Sequence, residues 1–440
     1  MQLRRTRRDR AAGRSAARRP LTRASLAHGL TTGLLGGLLL GLLSALLATP
    51  ARAEQIPQNP GGEIVFRGNY WRDRNTRVLN PTVDVRQELP GRVGVNAHYV
   101  LDAITSASLA AGANTDQPFT ELRHEAGLGV DIPLPGKTTI SASYSYSTES
   151  DYFSHNAGLR GKFNLFQDNT ALVFGLDYGH NTVGKRLGPT GYLIQGVLQT
   201  VHLVALWSQV LGKRLLGTAS YELTSASGYQ NNVYRPVPGE QTLEIENLPT
   251  QRLRHVGSLS LHAMIPTRST LVPHVTLRPG LRGHYDSWNL RAINPELAAY
   301  VPIGPVELRG LFSFYTQWDV YFYRHEGDDL ANVFPGSPYY KSATIRELGY
   351  FTSDTKLGKY STYSAELQLK WRLSFLRGSG PLSRRLSRTV IELTGGMWFA
   401  DQAVGNQFGI PFTSDDPRGP AGCSLVCGAG FASLGLYIPL

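Results

Sequence analysis

Cysteine is almost absent from this chain of 440 residues, which has only Cys423 and Cys427. So few cysteines exclude a disulfide-rich scaffold and a zinc site built from several thiolates. The two lie in the stretch PAGCSLVCGAG, where a loop disulfide is the prediction for an oxidising compartment. Free thiols, or contact with a metal or haem, are the alternatives. Because no C-x-x-C-H motif and no cluster of histidines accompanies the pair, we predict no metal site and no cofactor.

Long hydrophobic runs are absent after residue 53. Before it, a basic stretch is followed by the apolar run GLLGGLLLGLLSALLA (33–48) and by the small residues Ala51 and Ala53. This order predicts that residues 1–53 are a signal peptide, cut before Glu54; an uncleaved membrane anchor is the alternative. Because no later run approaches the roughly 18 apolar residues of a membrane-spanning helix, we predict no such helix in the rest of the chain.

A large excess of positive charge is also absent once this leader is set aside. The formal net charge of the whole chain is +11, but residues 1–53 hold ten arginines and one aspartate. Removing them from the totals of 44 basic and 33 acidic residues leaves 34 and 32, a net charge of +2. The basic character therefore belongs mainly to the export signal, and no nucleic-acid partner is predicted.

Helical periodicity is scarce, and alternation of apolar and polar residues takes its place. In ELQLKWRLSF (366–375) every second residue is apolar, and the residues between them are charged or polar. About sixteen segments of this kind recur, and most are near the length that a tilted strand needs to cross a bilayer. They include 120–132, 139–149 and 306–322. This pattern predicts strands that present one apolar and one polar face.

The connections between these segments alternate in length. Every second one is short and rich in turn formers, as in LPGR (89–92) and LPGK (134–137). The four longest of the others are 105–118, 228–250, 325–358 and 402–428. Outer-membrane barrels alternate in this way, with short turns in the periplasm and long loops outside. We therefore predict an all-β fold, a transmembrane antiparallel up-and-down β-barrel of about 16 strands over residues 64–440, after a short periplasmic segment at 54–63.

The apolar face of the barrel is predicted to meet lipid, because it carries aromatic residues near the strand ends, as an interfacial girdle does. A secreted sandwich or β-helix is the alternative, but the short glycine-marked repeat of a β-helix is missing. The opposite face supplies the pore-lining candidates. They are Arg86, Glu121, Arg123, Arg160, Lys162, Arg282, Glu307, Arg309, Asp319, Glu366, Lys370, Arg372 and Glu392. These charges either set a field for passing solutes or form ion pairs that pad the interior, and their near balance indicates no strong ion selectivity.

Histidines are scattered along the chain without a metal-ligand spacing. We interpret them as polar residues of the lumen or of the membrane interface. His124 and His155 fall on the predicted lipid face near the outer strand ends, where lipid headgroups would solvate them.

The stretch 141–181 carries a distinctive hairpin pattern. A Ser-rich strand is followed by the acidic turn S-x-E-S-D-Y at 147–152 and by a strand that ends at the D-N-T of 168–170. These features resemble an uncharacterised family of Gram-negative outer-membrane β-barrel proteins, a domain of unknown function. The segments GHYDSWNL (283–290) and SFYTQWDVYFY (313–323) are similar to it as well. The resemblance covers most of the chain after the leader.

The resemblance implies a large barrel in the cell outer membrane and no established activity. It also implies an envelope redox setting, since such proteins tend to be encoded beside thioredoxin-like and flavin-transferring proteins. A periplasmic redox partner is therefore expected, next to outer-membrane lipid, the barrel assembly machinery and small solutes. The C-terminal residues YIPL (437–440) depart from the Phe or Trp that ends most barrels and that the assembly machinery reads.

Passage of small solutes through a porin-like channel is the predicted function, by diffusion and with no catalytic residue. A barrel plugged by its own loops, which scaffolds an envelope redox or electron-transfer complex, is the alternative. A barrel lipid hydrolase is a third hypothesis, but no nucleophile motif such as G-x-S-x-G occurs. We therefore predict that the protein is not an enzyme.

Overall fold

The computed structural model describes residues 61–72, 76–106, 119–187, 191–233, 236–238, 243–323, 349–352, 354–378, 380–400 and 428–440. The predicted signal peptide, the predicted segment 54–63 up to residue 60, and the pair Cys423 and Cys427 lie outside the described residues. Much of the four long connections lies outside them too.

Sixteen antiparallel strands form one closed barrel, in which each strand pairs with the next barrel strand and β1 pairs with β18. Two short strands, β10 and β11, form a separate hairpin after β9. The strands are β1 (Gly62–Arg72), β2 (Thr76–Glu88), β3 (Gly94–Ser106), β4 (Phe119–Leu134), β5 (Thr138–Thr148), β6 (Tyr152–Leu165), β7 (Thr170–Arg186), β8 (Tyr192–Gly212), β9 (Leu215–Gly228), β10 (Pro236–Pro238), β11 (Leu243–Ile245), β12 (Gln251–Pro266), β13 (His274–Asp286), β14 (Arg291–Ile303), β15 (Val306–Trp318), β16 (Tyr360–Arg372), β17 (Val390–Ala400) and β18 (Gly428–Pro439). The predicted all-β antiparallel barrel of 16 strands is confirmed.

Short turns gather at one end of the barrel, where β1 begins and β18 ends. Gly91 and Gly136, in the turns after β2 and β4, have φ angles of +83° and +79°. Glycine adopts this conformation without strain, which suits it to the L-P-G turns, and the next residues Arg92 and Lys137 also have positive φ angles, +62° and +60°. The connection from β16 to β17 at the same end holds the helix α1 (Pro381–Leu386). In the described part of the chain, no helix is both long and apolar enough to span a membrane.

The outward face of the barrel is apolar and exposed. Along β16, Tyr363 and Leu367 are exposed, while Glu366 and Gln368 on the alternate face are half-buried. Directly paired residues of neighbouring strands share a face, so the register repeats this division around the wall. A continuous apolar outer surface on a closed barrel is stable in lipid and not in water. The chain therefore folds as an outer-membrane β-barrel.

The segment predicted as one strand over 306–322 ends earlier than expected, since β15 stops at Trp318. Val320 and Phe322, which were predicted to face lipid, are buried in a cluster at the outer side of the barrel. Asp319, a pore-lining candidate, lies with them beyond the strand. The prediction was wrong here because the alternation continues after the chain has left the wall, and periodicity alone does not mark where pairing stops.

This cluster is the core of a folded unit that we call the outer cap. The outer cap comprises residues 246–250, 286–290, 319–323, 349–352 and 354–358, from the connections on the outer side of β12 to β16. Its buried apolar residues are Leu248, Trp288, Leu290, Val320, Phe322, Tyr323 and Leu357, together with Ala292 at the start of β14. Three separate connections thus share one core above this part of the barrel wall.

Asp286, at the outer end of β13, holds the outer cap to the rim. Its fully buried carboxylate accepts hydrogen bonds from the backbone N–H groups of Trp288 (2.9 Å) and Leu290 (3.0 Å). Arg252 on β12 donates from Nε over 2.8 Å, and its guanidinium stacks 4.1 Å from the Trp288 ring centre. The Asp286 carboxylate therefore holds in place the turn after β13, the neighbouring strand β12 and the indole ring of Trp288.

Replacing this carboxylate is predicted to destabilise the protein strongly. In Asp286→Ala two backbone donors and the Arg252 guanidinium lose their acceptor, and we expect the free energy of unfolding to fall by about 3 kcal/mol or more. Denaturant unfolding of the micellar protein, followed by heat-modifiable gel mobility, measures the change. The control is Asp168→Asn, which removes the charge of an exposed ion pair with Lys137 but keeps a residue type that tolerates the φ of +70° at this position, and it is expected to cost at most about 1 kcal/mol. Equal losses in the two variants would contradict the role of Asp286.

Candidate functional site

The inward face of the barrel carries a series of polar side chains that we call the lumen belt. Its members lie on β2, on β4 to β9 and on β13, and each occupies the face opposite to the exposed apolar residues of its strand. They are Arg86, Asp131, Ser141, Arg160, Asp177, His202, Glu222 and Arg282. The antiparallel register brings them together across the wall although they are far apart in sequence.

The lumen belt begins at Arg86, whose Nη2 lies 3.5 Å from Asp131 Oδ2. The Ser141 hydroxyl on the next strand donates a hydrogen bond of 2.6 Å to Asp131 Oδ1. Arg160 is the register partner of Ser141, and its Nη2 lies 3.6 Å from Asp177 Oδ2. Guanidinium and carboxylate groups therefore alternate along this half of the belt.

His202 stands between two carboxylates in the second half of the belt. Its Nδ1 lies 3.2 Å from Asp177 Oδ2, and its Nε2 lies 3.7 Å from Glu222 Oε2. Glu222 also faces Arg282, with 3.7 Å between Oε1 and Nη2. The imidazole thus links two carboxylates, each of which has an arginine as its other neighbour.

In the three Arg–carboxylate pairs of the belt, the arginine is the more exposed partner. The side-chain exposures are 64% and 25% for Arg86 and Asp131, 58% and 28% for Arg160 and Asp177, and 55% and 32% for Arg282 and Glu222. The carboxylates lie against the wall, while the longer guanidinium groups reach into the lumen. The three arginines of the belt balance its three carboxylates in formal charge, but the guanidinium groups are the more exposed side chains.

A second series, which we call the seam network, crosses the line where β18 and β1 close the barrel. Glu392 Oε2 lies 3.6 Å from Lys370 Nζ and accepts a hydrogen bond of 3.0 Å from the Tyr437 hydroxyl. Arg67 donates to the same hydroxyl over 3.1 Å, and Asp84 Oδ2 lies 3.8 Å from Arg67 Nη1. Side chains thus connect five adjacent strands, β16, β17, β18, β1 and β2, across the seam.

Two further pairs lie on inward positions. Arg309 on β15 contacts Glu366 on β16, and both side chains are largely buried. On the other side of the barrel, Arg123 Nε lies 2.7 Å from Asp102 Oδ2. The Arg309–Glu366 pair acts mainly within the wall, because solvent reaches it poorly, whereas Arg123 is about one third exposed.

Twelve of the thirteen predicted pore-lining candidates occupy inward positions of barrel strands, and Asp319 does not. The lumen belt contains Arg86, Arg160 and Arg282, the seam network contains Lys370 and Glu392, and the pairs just described contain Arg123, Arg309 and Glu366. The other four are Lys162 on β6, Glu307 opposite Lys370, the buried Arg372 at the short-turn end of β16, and Glu121 near the outer rim. The candidates therefore separate into several groups and do not form one ring.

Several lumen residues were not among the predicted candidates. They include Arg67, Asp131, Asp177, His202, Glu222 and Tyr437. Strand parity is the signal that could have found them, since His202 lies between Val201 and Leu203, which are exposed on the outward face. Which inward residues touch each other depends on register, which their local sequence does not contain.

Gly158 on β6 gives Asp177 room to lie flat on the wall. A Cβ built on Gly158 would overlap Asp177 Oδ1 and come 2.8 Å from Ser143 Oγ. Any larger residue here must therefore displace the carboxylate that contacts both Arg160 and His202. Gly257, on the outward face of β12, is a natural comparison, since a Cβ there would meet nothing within 4 Å.

We predict opposite effects of alanine at these two glycines. Gly158→Ala forces Asp177 off the wall and is expected to lower the free energy of unfolding by about 1–2 kcal/mol. Gly257→Ala adds a methyl group in open space and restricts the unfolded chain, so we expect no loss, or a gain of up to about 1 kcal/mol. Denaturant midpoints of both variants against the parent measure this. Similar midpoints for the two variants would show that Asp177 does not depend on the gap at Gly158.

Outside the strands, burial raises the pKa of Glu149 in the turn between β5 and β6, and the nearby Glu121 carboxylate raises it further. Within the described ranges, no group of three or more His, Cys, Asp or Glu residues is arranged to hold a metal ion. The absence of a cofactor and of catalytic residues stays a prediction.

Residues 192–379 match a family model. The family is described as "Protein of unknown function (DUF3570)", and the matched part runs from β8 to the connection after β16, including the outer cap. The segments 283–290 and 313–323, which carried part of the predicted resemblance, lie within it, whereas 141–181 lies before it. The resemblance to an uncharacterised barrel family, a domain of unknown function, is confirmed.

A search of curated proteins finds no match. Solved structures give likenesses over most of the chain. They include a bacterial polysaccharide outer membrane secretin (10% identity, 87% of this chain and 100% of that chain, TM-score 0.46), CdiB from Acinetobacter baumannii (8%, 86% and 60%, 0.46) and OccD3 (OpdP) from Pseudomonas aeruginosa (9%, 89% and 94%, 0.41). Likeness at this level concerns barrel architecture and does not extend to function.

Proposed function

We propose that this outer-membrane barrel is a porin-like channel through which small solutes diffuse, with a preference for anions. The observation that carries the proposal is the exposure of Arg86, Arg160 and Arg282 on the inward face, each more than half exposed while its carboxylate partner is not. A barrel of about 16 strands is wide enough to enclose water.

The expected preference is modest for two physical reasons. Each exposed guanidinium has a carboxylate 3.5–3.7 Å away, which cancels part of its field. Salt screens the remainder over about 10 Å at 0.1 M ionic strength, which is comparable with the width of a small pore. The lumen belt would therefore favour anions over cations without excluding cations. A modest preference for anions agrees with the near balance of charge among the predicted pore-lining residues, which indicates no strong ion selectivity.

The proposal includes the export route and the partners predicted from the sequence. Residues 1–53 would direct export and be cut before Glu54, and the barrel assembly machinery would insert the chain. Outer-membrane lipid would surround the apolar face. The transported solutes would be small and would need no chemical conversion on the way.

Reversal potentials of the refolded protein in a planar bilayer under a KCl gradient test the channel. We expect ohmic conductance with chloride more permeant than potassium. Combined neutralisation in Arg86→Gln, Arg160→Gln and Arg282→Gln should lower the chloride-to-potassium permeability ratio by roughly twofold or more, because the exposed lumen then carries the uncompensated carboxylates. The single variant Arg309→Gln should have a smaller effect, since that arginine is largely buried.

Two controls make this experiment decisive. Arg268→Gln, in an exposed short turn between β12 and β13, removes one positive charge outside the barrel wall, as Arg309→Gln does within it, and should leave the ratio unchanged. Heat-modifiable gel mobility establishes that each variant has folded. A folded parent protein without conductance would overturn the channel proposal, and an unchanged ratio in the triple variant would overturn the role of the belt.

A structural barrel that scaffolds an envelope redox complex is the second candidate. One feature favours it: the connection from β16 to β17 at the short-turn end is longer than the tight turns and exposes Leu382, Arg384 and Arg385. A basic and apolar periplasmic surface suits an acidic partner. This candidate predicts a folded barrel without conductance, and a partner whose co-purification is lost in Arg384→Glu with Arg385→Glu.

A further inference from the structure

Among the residues that the structure describes, one arrangement recurs three times on the outward-facing surface. In each case a tyrosine hydroxyl is hydrogen-bonded to Nδ1 of a histidine on the next strand. The pairs are Tyr99–His124 between β3 and β4, Tyr144–His155 between β5 and β6, and Tyr221–His255 between β9 and β12. We call them the Tyr–His pairs.

The three Tyr–His pairs have the same geometry. Their O–N distances are 2.8, 2.8 and 2.7 Å, their ring centroids are 6.3, 6.3 and 6.2 Å apart, and their ring planes differ by 41°, 39° and 40°. The residue directly opposite each tyrosine is small, Ala126, Ala157 or Gly257, and the histidine precedes it by two positions. A small neighbour lets each tyrosine ring lean diagonally across the strand towards its histidine.

All three pairs lie near the outer ends of the strands that carry the histidines. The histidines are the sixth, fourth and fifth residues of strands that enter the wall from the outer side. The tyrosines are about half exposed among outward-facing leucines such as Leu122, Leu159 and Leu259. Residues at this depth meet the headgroups of the outer leaflet rather than its hydrocarbon.

The hydrogen bond fixes what each pair presents to its surroundings. We assign the tyrosine hydroxyl as the donor and Nδ1 as the acceptor, because an apolar surface offers the tyrosine proton no other acceptor. A neutral imidazole then carries its own proton on Nε2. If the imidazole is protonated, Nε2 is a donor as well. In both states the pair offers an N–H donor at headgroup depth, where leaving it without an acceptor would be costly.

The surroundings of two pairs add further groups that suit an anion. Beside His255, the ring of Tyr285 stacks at 6.4 Å, and the guanidinium of Arg291 lies 5.9 Å over that ring. Beside His155, the register places His180 directly opposite on β7. These neighbours bring a cation to one pair and a second imidazole to the other.

We propose that the Tyr–His pairs bind phosphate groups of outer-leaflet lipid, one phosphate at each pair. The histidine Nε2–H donates to a phosphate oxygen, the tyrosine orients the imidazole, and the adjacent leucines contact the acyl chains. The occupant is a lipid phosphate and not a free anion, because the donors open onto the apolar surface and not onto the lumen or the outer loops. This binding does not depend on whether the barrel conducts.

Native mass spectrometry of the folded, detergent-solubilised protein tests the proposal, with bisphosphorylated lipid A as the probe. The parent protein should retain up to three lipid A molecules. Two triple variants are compared. The tyrosine variant frees the imidazoles to rotate and combines Tyr99→Phe, Tyr144→Phe and Tyr221→Phe. The histidine variant removes the donors and combines His124→Phe, His155→Phe and His255→Phe. We expect the histidine variant to bind about tenfold more weakly and the tyrosine variant to show a smaller loss.

The matched control is Tyr178→Phe with Tyr363→Phe, which removes two outward-facing hydroxyls at other positions and should leave lipid binding unchanged. Dephosphorylated lipid A, offered to the unmodified protein, should bind about tenfold more weakly than the phosphorylated form. Equal binding of phosphorylated and dephosphorylated lipid A to the unmodified protein would overturn the proposal, whatever the variants show. Displacement of lipid A by millimolar inorganic phosphate would overturn the assignment to lipid, as would equal losses in the control and histidine variants.

Discussion

The pairing of β1 with β18 is the constraint on which the rest of this structure depends. In lipid an unpaired strand edge cannot be tolerated, because its N–H and C=O groups would find no partner there. Ten residue pairs from Glu63↔Pro439 to Arg72↔Gly430 close that edge. Arg67, Tyr437 and Glu392 reinforce the closure on the inner side, so the first and last strands are joined by side chains as well as by backbone.

Closure creates two surfaces with different chemistry on the same strands. The outward surface must be apolar through the bilayer and polar only at its edge, where the Tyr–His pairs lie. The inward surface has to place many charges in a confined space, and in the lumen belt the carboxylates lie closer to the wall while the guanidinium groups extend from it. Gly158 shows how close this packing is, since a single methyl group there would displace Asp177. The proposed anion preference follows from unequal exposure and not from net charge.

The sequence was sufficient for the strands, the turns and the two faces, because these depend on local features. Period-two alternation identifies the apolar face of β16, and the L-P-G turns mark where the wall reverses. The prediction was wrong at the end of β15, where Val320 and Phe322 keep the alternation but belong to the outer cap. The outer cap joins connections that are far apart in sequence around the buried Asp286. The alternation of apolar and polar residues along one segment does not predict such contacts.

What the sequence by itself determined is which side of the wall most strand residues face, since a residue's neighbours fix its parity except at the register shifts in β7 and β8. The tertiary structure alone decided which inward charges meet. His202 contacts Asp177 and Glu222 only because β7, β8 and β9 adopt one particular register, and a shift of one residue would turn each of them to the lipid face. The same register placed each histidine of the Tyr–His pairs beside its tyrosine. Register is set by closure of the whole barrel, so these contacts exist only in the folded chain.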